Sequence, residues 1–308
     1  MKILSRACGL AAPWALVLAL PLASASGPTP TKKPADRYQP YVKINGLFFD
    51  NFFQTPESLP GENLGGVGAE AGVAVSVRGS KALKAYGNVD YLSYHGFGPS
   101  SGITGGLRLA GKPHAFDAYA QYLRGRPSRD AGDVVSSANV AGIAGEYSYR
   151  VTSDVELSGL ADYRHQSYQD APLRANDVHN FGLAVRYRGL GHGVSPEAGF
   201  RRGGRVSQDP NEDLSQRELF VKLRWTANPS TYLTLRYRHR RREYTTALPQ
   251  ARNFGREDTR VQWTLSADLE QSEELSWNLY YALEDSDSTR PAGAFKTQAL
   301  ALGLTLRF

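Results

Sequence analysis

From Tyr41 to the C-terminus, apolar and polar residues alternate with a period of two. Leu219, Val221, Leu223 and Trp225 occupy every second position, with Phe220, Lys222 and Arg224 between them. The next run sets Leu233, Leu235 and Tyr237 against Thr234, Arg236 and Arg238. Later runs place Val261, Trp263, Leu265, Ala267 and Leu269 on one face, then Leu275, Trp277, Leu279, Tyr281 and Leu283. The last offers Leu300, Leu302, Leu304, Leu306 and Phe308 against Ala299, Ala301, Gly303, Thr305 and Arg307. A period of two belongs to a strand whose faces meet different surroundings. Runs centred near Ile44, Val73, Val89, Leu107, Tyr119, Ile143, Leu160, Val185, Gly199, Val221, Leu235, Leu265, Leu279 and Leu302 predict about fourteen strands.

The connections alternate in length. Short ones fall at Gly79-Ser80, 111–113, Thr152-Ser153, 189–192, 227–230 and 271–273. Long polar ones fall at 54–65, 95–100, 125–133, 168–177, 207–213, 247–257 and 285–292. Short turns at one end and long loops at the other are the rhythm of an outer-membrane barrel. Hydrocarbon offers no partner to a free N–H or C=O, so a sheet spanning a bilayer must close on itself. The expected fold is all-β: a transmembrane antiparallel up-and-down β-barrel over residues 41–308, aliphatic side chains outward and polar ones inward. Tyr163, Tyr187, Trp225 and Tyr237 suit interfacial girdles. A soluble β-sandwich would also alternate, but would keep one face of each sheet wet.

Ahead of the alternation, Lys2 and Arg6 precede an apolar run from Ala7 to Leu22 and the small-residue site Ala23-Ser24-Ala25. This is the layout of a secretory signal peptide, 1–25. The run is interrupted by Pro13 and Pro21, which suits a membrane span poorly. Pro, Lys and Thr in 26–40 read as a flexible periplasmic leader. The end, Leu304-Thr305-Leu306-Arg307-Phe308, is an alternating strand with a terminal aromatic. Such an end resembles the signal read by the outer-membrane barrel insertion machinery, the first expected partner. An even strand count puts both termini on the periplasmic side of the cell outer membrane.

Composition narrows the chemistry. The single cysteine, Cys8, lies in the signal. The mature chain therefore has neither disulfides nor cysteine-based metal or thiol chemistry. Removing the first 25 of 308 residues leaves 283, and the formal charge falls from +6 to +4 as Lys2 and Arg6 leave. That is mildly basic and gives no reason to expect nucleic acid. No HExxH pattern, cysteine pair or EF-hand loop is present, so no metal or cofactor is expected.

Alternation also assigns the lumen. Inward positions on the runs near Val185, Gly199, Val221 and Leu235 are Arg186, Arg188, Arg201, Arg205, Lys222, Arg224, Arg236, Arg238, Arg240 and Arg242. Glu197 and Glu218 oppose them locally. Other inward acids are Glu70, Asp90, Asp117, Glu146 and Glu156, with Asp162, Asp268, Glu270 and Glu284 facing the basic wall. A one-sided basic ladder in a water-filled bore would attract anions: small acids, phosphates or an acidic polysaccharide. Tyr86, Tyr94, Tyr119, Tyr232 and Tyr280 also point inward and could form a slide for sugars. Alternatively, the charges pair across the lumen and plug it. About fourteen strands exceed the roughly eight whose interior side chains can fill, which favours an open bore. His239 and Arg241 fall on the outward parity, where they could hold lipopolysaccharide phosphates. His165, with Ser167 and Asp170 at a strand end and His179 nearby, is the one arrangement from which a catalytic rim could be built.

The stretch Asn45-Gly46-Leu47-Phe48-Phe49-Asp50-Asn51-Phe52-Phe53 resembles the first strand and loop of β-barrel porins encoded in exopolysaccharide gene clusters. Arg241-Arg242-Glu243-Tyr244 and the final hairpin resemble the barrel domain of surface lipoprotein assembly modulators, without their helical-repeat periplasmic domain. Either resemblance implies a barrel of this class. The expectation is a non-enzymatic channel for hydrophilic, preferably anionic, solutes or an acidic polysaccharide. Its surroundings would be outer-membrane lipid and lipopolysaccharide. A non-enzymatic assembly or secretion barrel for surface lipoprotein or exopolysaccharide, and a rim hydrolase, are the alternatives.

Overall fold

The computed structural model describes residues 38–50, 64–77, 82–95, 98–129, 135–168, 172, 175–251, 253–290 and 293–308. The expected signal peptide and most of the expected leader lie outside them. These residues form β1 (Tyr38–Asp50), β2 (Leu64–Ser76), β3 (Leu83–Tyr94), β4 (Ser100–Ala110), β5 (His114–Arg129), β6 (Val135–Arg150) and β7 (Val155–Tyr168). Then follow β8 (Asn176–Tyr187), β9 (Val194–Ser207), β10 (Leu214–Asn228), β11 (Thr231–Tyr244), β12 (Glu257–Glu270), β13 (Leu275–Ser288) and β14 (Phe295–Arg307). Each strand pairs antiparallel with its sequence neighbours, and β1 pairs with β14 to close the ring. The fold is a closed, all-antiparallel, fourteen-stranded barrel. Every expected strand centre falls inside a strand.

Two observations refine the expected boundaries. β1 begins at Tyr38, so the last residues of the expected leader pair with β2. β5 runs on to Arg129, into the expected 125–133 loop, past a bulge between Leu123 and Arg126 where Gly125 adopts φ +71°. That left-handed conformation suits glycine, and the extra residue shifts the parity of everything after it. Arg126 consequently points inward, and its guanidinium donates to Asp90 at 2.8 Å.

The short turns are held by their own side chains. Thr152 Oγ1 accepts the N–H groups of Asp154 and Val155, and Ser272 Oγ those of Glu274 and Leu275. Asn228 Oδ1 accepts from the Ser230 N–H at 2.9 Å. These hydroxyl and carboxamide groups mimic the backbone of a tight turn. Both chain ends of the barrel lie at this short-turn end, where Tyr41 faces Arg307 in register.

Burial is inverted relative to a water-soluble protein. Leu183, Val67, Ile143, Phe181 and Leu219 are 58–72% exposed, while Arg242, Arg256, Glu218 and Glu284 are 1–7% exposed. The outward apolar positions recur on every strand and join into one belt. A soluble monomer rarely exposes a contiguous apolar patch beyond a few hundred Å². This distribution suits a barrel whose solvent is hydrocarbon.

Candidate functional site: the inner wall of β7 to β13

Register places the inward side chains of neighbouring strands side by side, in rows that run around the barrel. Nearest the short turns, one row passes through Glu156, Arg186, Glu197, Lys222 and Arg236. The next passes through Phe220, Arg238, Gln262 and Glu284. A third passes through Arg201, Glu218, Arg240 and Arg260. The alternation of β8 to β11 thus brings Arg186, Arg201, Lys222, Arg236, Arg238 and Arg240 to one continuous surface.

On that surface, acids are shared among several cations. Arg186 donates to Glu156 at 2.7 Å and to Glu197 at 2.6 Å. Glu197 also accepts from Lys222 at 2.8 Å and has Arg224 at 3.6 Å. Arg188 completes the Glu156 pair. Glu218 is shared by Arg240 at 2.6 Å, Arg236 at 3.5 Å and Arg238 at 3.7 Å. Arg201 forms no ion pair among the described residues. Its guanidinium lies 5.6 Å from the centre of the Phe220 ring, and Arg236 lies 4.9 Å from the same ring. Cations therefore exceed acids on this wall, and Phe220 helps hold two of them side by side.

The wall is not uniform along its height. At mid-barrel, the side chains of Lys222, Arg224, Arg236, Arg238 and Arg240 are 17–27% exposed. Towards the long loops, the interior closes. Arg205 donates to Glu212 at 2.6 Å, and Arg256 makes a two-pronged contact with Asp258 at 2.8 Å per bond. Asn253 Nδ2 reaches the Asn211 carbonyl at 2.7 Å, and Arg290 reaches the Phe254 carbonyl at 3.2 Å. Arg260 donates to Glu284 at 3.2 Å. Arg205, Arg242, Arg256, Asp258 and Arg260 are all at most 4% exposed. The described parts of the β9–β10, β11–β12 and β13–β14 loops are thereby stitched together above the basic wall.

Of the expected opposing acids, Asp162 has Arg164 at 3.6 Å and accepts from Asn180, and Glu284 joins Arg260 and Gln262 in the row of Arg238. Asp268 accepts from Asn278, and neither it nor Glu270 forms an ion pair among the described residues. Both sit near the short turns, away from the shared acids. Tyr94 and Tyr280 pack against Phe49, Leu64, Ala282 and Ala299 rather than forming a free slide. Tyr86 donates to Asp117, and the Tyr232 hydroxyl donates to the Pro229 carbonyl. Arg164, Glu212, Arg256, Asp258 and Arg260 join the charged interior without having been singled out. Arg260 and Asp258 lie on the parity of Gln262, so extending that alternation towards the loop finds them.

On the candidate rim, His165 Nδ1 lies 2.9 Å from Asp177 Oδ1, and Tyr163 donates to the same carboxylate at 2.6 Å. His165 makes no hydrogen bond to Ser167 among the described residues, and Asp170 lies outside them. His179 is exposed on the outer face of β8, and His192 occupies the β8–β9 turn at φ +50°. Among the described residues, no cluster of His, Asp and Glu has the spacing of a metal site.

No protein-family model and no curated protein matches the sequence. Solved outer-membrane barrels resemble the fold. OmpT of Vibrio cholerae, expressed in the outer membrane, aligns at 12% identity over 90% of this chain and 99% of its own, with a TM-score of 0.46. An anion-selective porin from Comamonas acidovorans aligns at 11% identity over 88% and 98%, with a TM-score of 0.46. OccAB3 of Acinetobacter baumannii aligns at 6% identity over 88% and 99%, with a TM-score of 0.49. Identities this low leave the functional reading to the chain's own residues.

Proposed function

We propose that this chain is a non-enzymatic outer-membrane channel that passes small hydrophilic anions along the β8–β11 wall. The apolar belt supports insertion in a bilayer, with the short turns and both barrel termini on the periplasmic side. The observation that carries the anion reading is the shared use of Glu197 and Glu218. Each neutralises only part of the positive charge around it, and the cations keep partial access to the bore. A surplus of fixed positive charge in a low-dielectric tube concentrates anions and repels cations.

The stitched long-loop end favours small solutes over an acidic polysaccharide, because a polymer needs a clear bore through the level of Arg242, Arg256 and Arg260. The rim hydrolase has less support, since His165 bonds to Asp177 on the outer face and makes no hydrogen bond to Ser167 among the described residues. The test is osmotic swelling of proteoliposomes. Small monocarboxylates should enter faster than amines of similar size. The variant R236A/R238A/R240A should abolish that difference while still folding to a barrel by circular dichroism. Folded, reconstituted protein that admits neither solute would overturn the proposal.

A further inference from the structure

On the outer face, at the long-loop edge of the apolar belt, three arginines stand side by side. Arg202 of β9 faces Arg217 of β10 in register, and Arg217 faces Arg241 of β11. Residue parity turns all three away from the bore, and all three are exposed. The next outward row towards the membrane is Phe200, Leu219 and His239, and below it lie Val221, Tyr237 and Trp263. The arginines therefore mark the level at which hydrocarbon gives way to headgroups.

Like charges directly opposite each other across antiparallel strands repel. Arg241 is partly compensated by Glu257 at 2.7 Å and Glu243 at 3.4 Å. Neither Arg202 nor Arg217 forms an ion pair or side-chain hydrogen bond among the described residues. Nothing within the barrel explains the row, whereas an external polyanion would.

We infer that Arg202, Arg217 and Arg241 form a binding site for the phosphate groups of a phosphorylated glycolipid in the outer leaflet. Neighbouring strands are about 4.8 Å apart, so the row spans roughly 10 Å along the membrane plane. Guanidinium forks grip phosphate with two bonds each, and Phe181 beside Arg202 offers an exposed apolar surface for acyl chains. A free phosphate ion in solution would gain only the charge contact and no acyl contact. The inference rests on the membrane reading of the apolar belt, and on the long loops facing outward.

The experiment measures binding of lipid A to purified barrel in detergent, by thermal shift and by native mass spectrometry. The wild-type barrel is compared with R202Q/R217Q and with R202Q/R217Q/R241Q. The double variant leaves Arg241 and its two glutamates intact. Lipid A should raise the wild-type unfolding temperature, and the affinity of the double variant should fall about tenfold, a loss of about 1.4 kcal/mol. Inorganic phosphate should leave the unfolding temperature unchanged, and lipid A stripped of its phosphates should bind no better than to the triple variant. Equal affinity in all three proteins would overturn the site while leaving the channel intact. Flotation with phospholipid vesicles is read on the same samples. Wild-type protein that fails to float would overturn the membrane reading and the site together.

Discussion

The inner surfaces of the two halves of the barrel are built on different plans. On β2 to β6, as at Gly182, Gly199 and Gly203 of β8 and β9, inward glycines lie against side chains of neighbouring strands, and it is the charges that differ. The Tyr41 ring covers Gly72 and that of Tyr86 covers Gly106; a Cβ at either glycine would come within 2.6 Å of the ring. Tyr41 donates to Glu70 at 2.6 Å, and Arg108 is held by Asp117 at 2.6 Å as a simple pair. Here the ion pairs are one acid to one arginine, Asp117 to Arg108 and Asp90 to Arg126. On β8 to β12, charges meet in shared groups, and Glu197 and Glu218 each serve several cations. Shared acids leave a surplus of cations on the second wall, whereas the pairs of the first are balanced.

Removing a shared acid should have the largest effect. Glu218→Gln leaves Arg236, Arg238 and Arg240 crowded without their common carboxylate, and Glu218 is buried. A loss of about 3–5 kcal/mol is expected in urea unfolding from detergent. A smaller cost, about 1–3 kcal/mol, is expected for Gly72→Ala, which must push the Tyr41 ring off the wall. That variant should also lower single-channel conductance, whereas Gly46→Ala, with nothing within 4 Å of its Cβ, should change neither. Asp117→Asn should cost least, about 1 kcal/mol or below, because the Arg108 ion pair is partly exposed and an amide oxygen can still accept from Tyr86. Equal losses for Glu218→Gln and Asp117→Asn would erase the distinction between the halves. Salt sharpens it further: raising ionic strength from about 0.1 to 1 M shortens the screening length from roughly 10 to 3 Å. Anion preference should then weaken, and total conductance should not collapse.

Strand placement and side-chain parity were legible in the sequence because a two-faced wall imposes its period on every strand. The run from Leu219 to Trp225 needed no other information. Parity failed locally at Arg126, where the Gly125 bulge inserts a residue that no alternation reveals. The inward parity of the wall arginines on β8 to β11 follows from the same alternation. The sharing of Glu197 and Glu218 was not legible, because it depends on register between strands and on the reach of each side chain. The stitching of Asn253 to Asn211, and the reach of Arg256 from its loop to Asp258, rest on loop residues whose contacts carry no period. Asp268 and Glu270 share the inward parity of the acids that do face the basic wall. Only their height near the short turns separates them from it.

The central claim is that the positive β8–β11 wall borders the path taken by ions. The reversal potential of a single channel across a potassium chloride gradient in a planar bilayer tests it most directly. The account predicts a potential displaced towards the chloride equilibrium value in the native barrel, and one close to zero in R236A/R238A/R240A. A native barrel that reverses near the potassium value would contradict it.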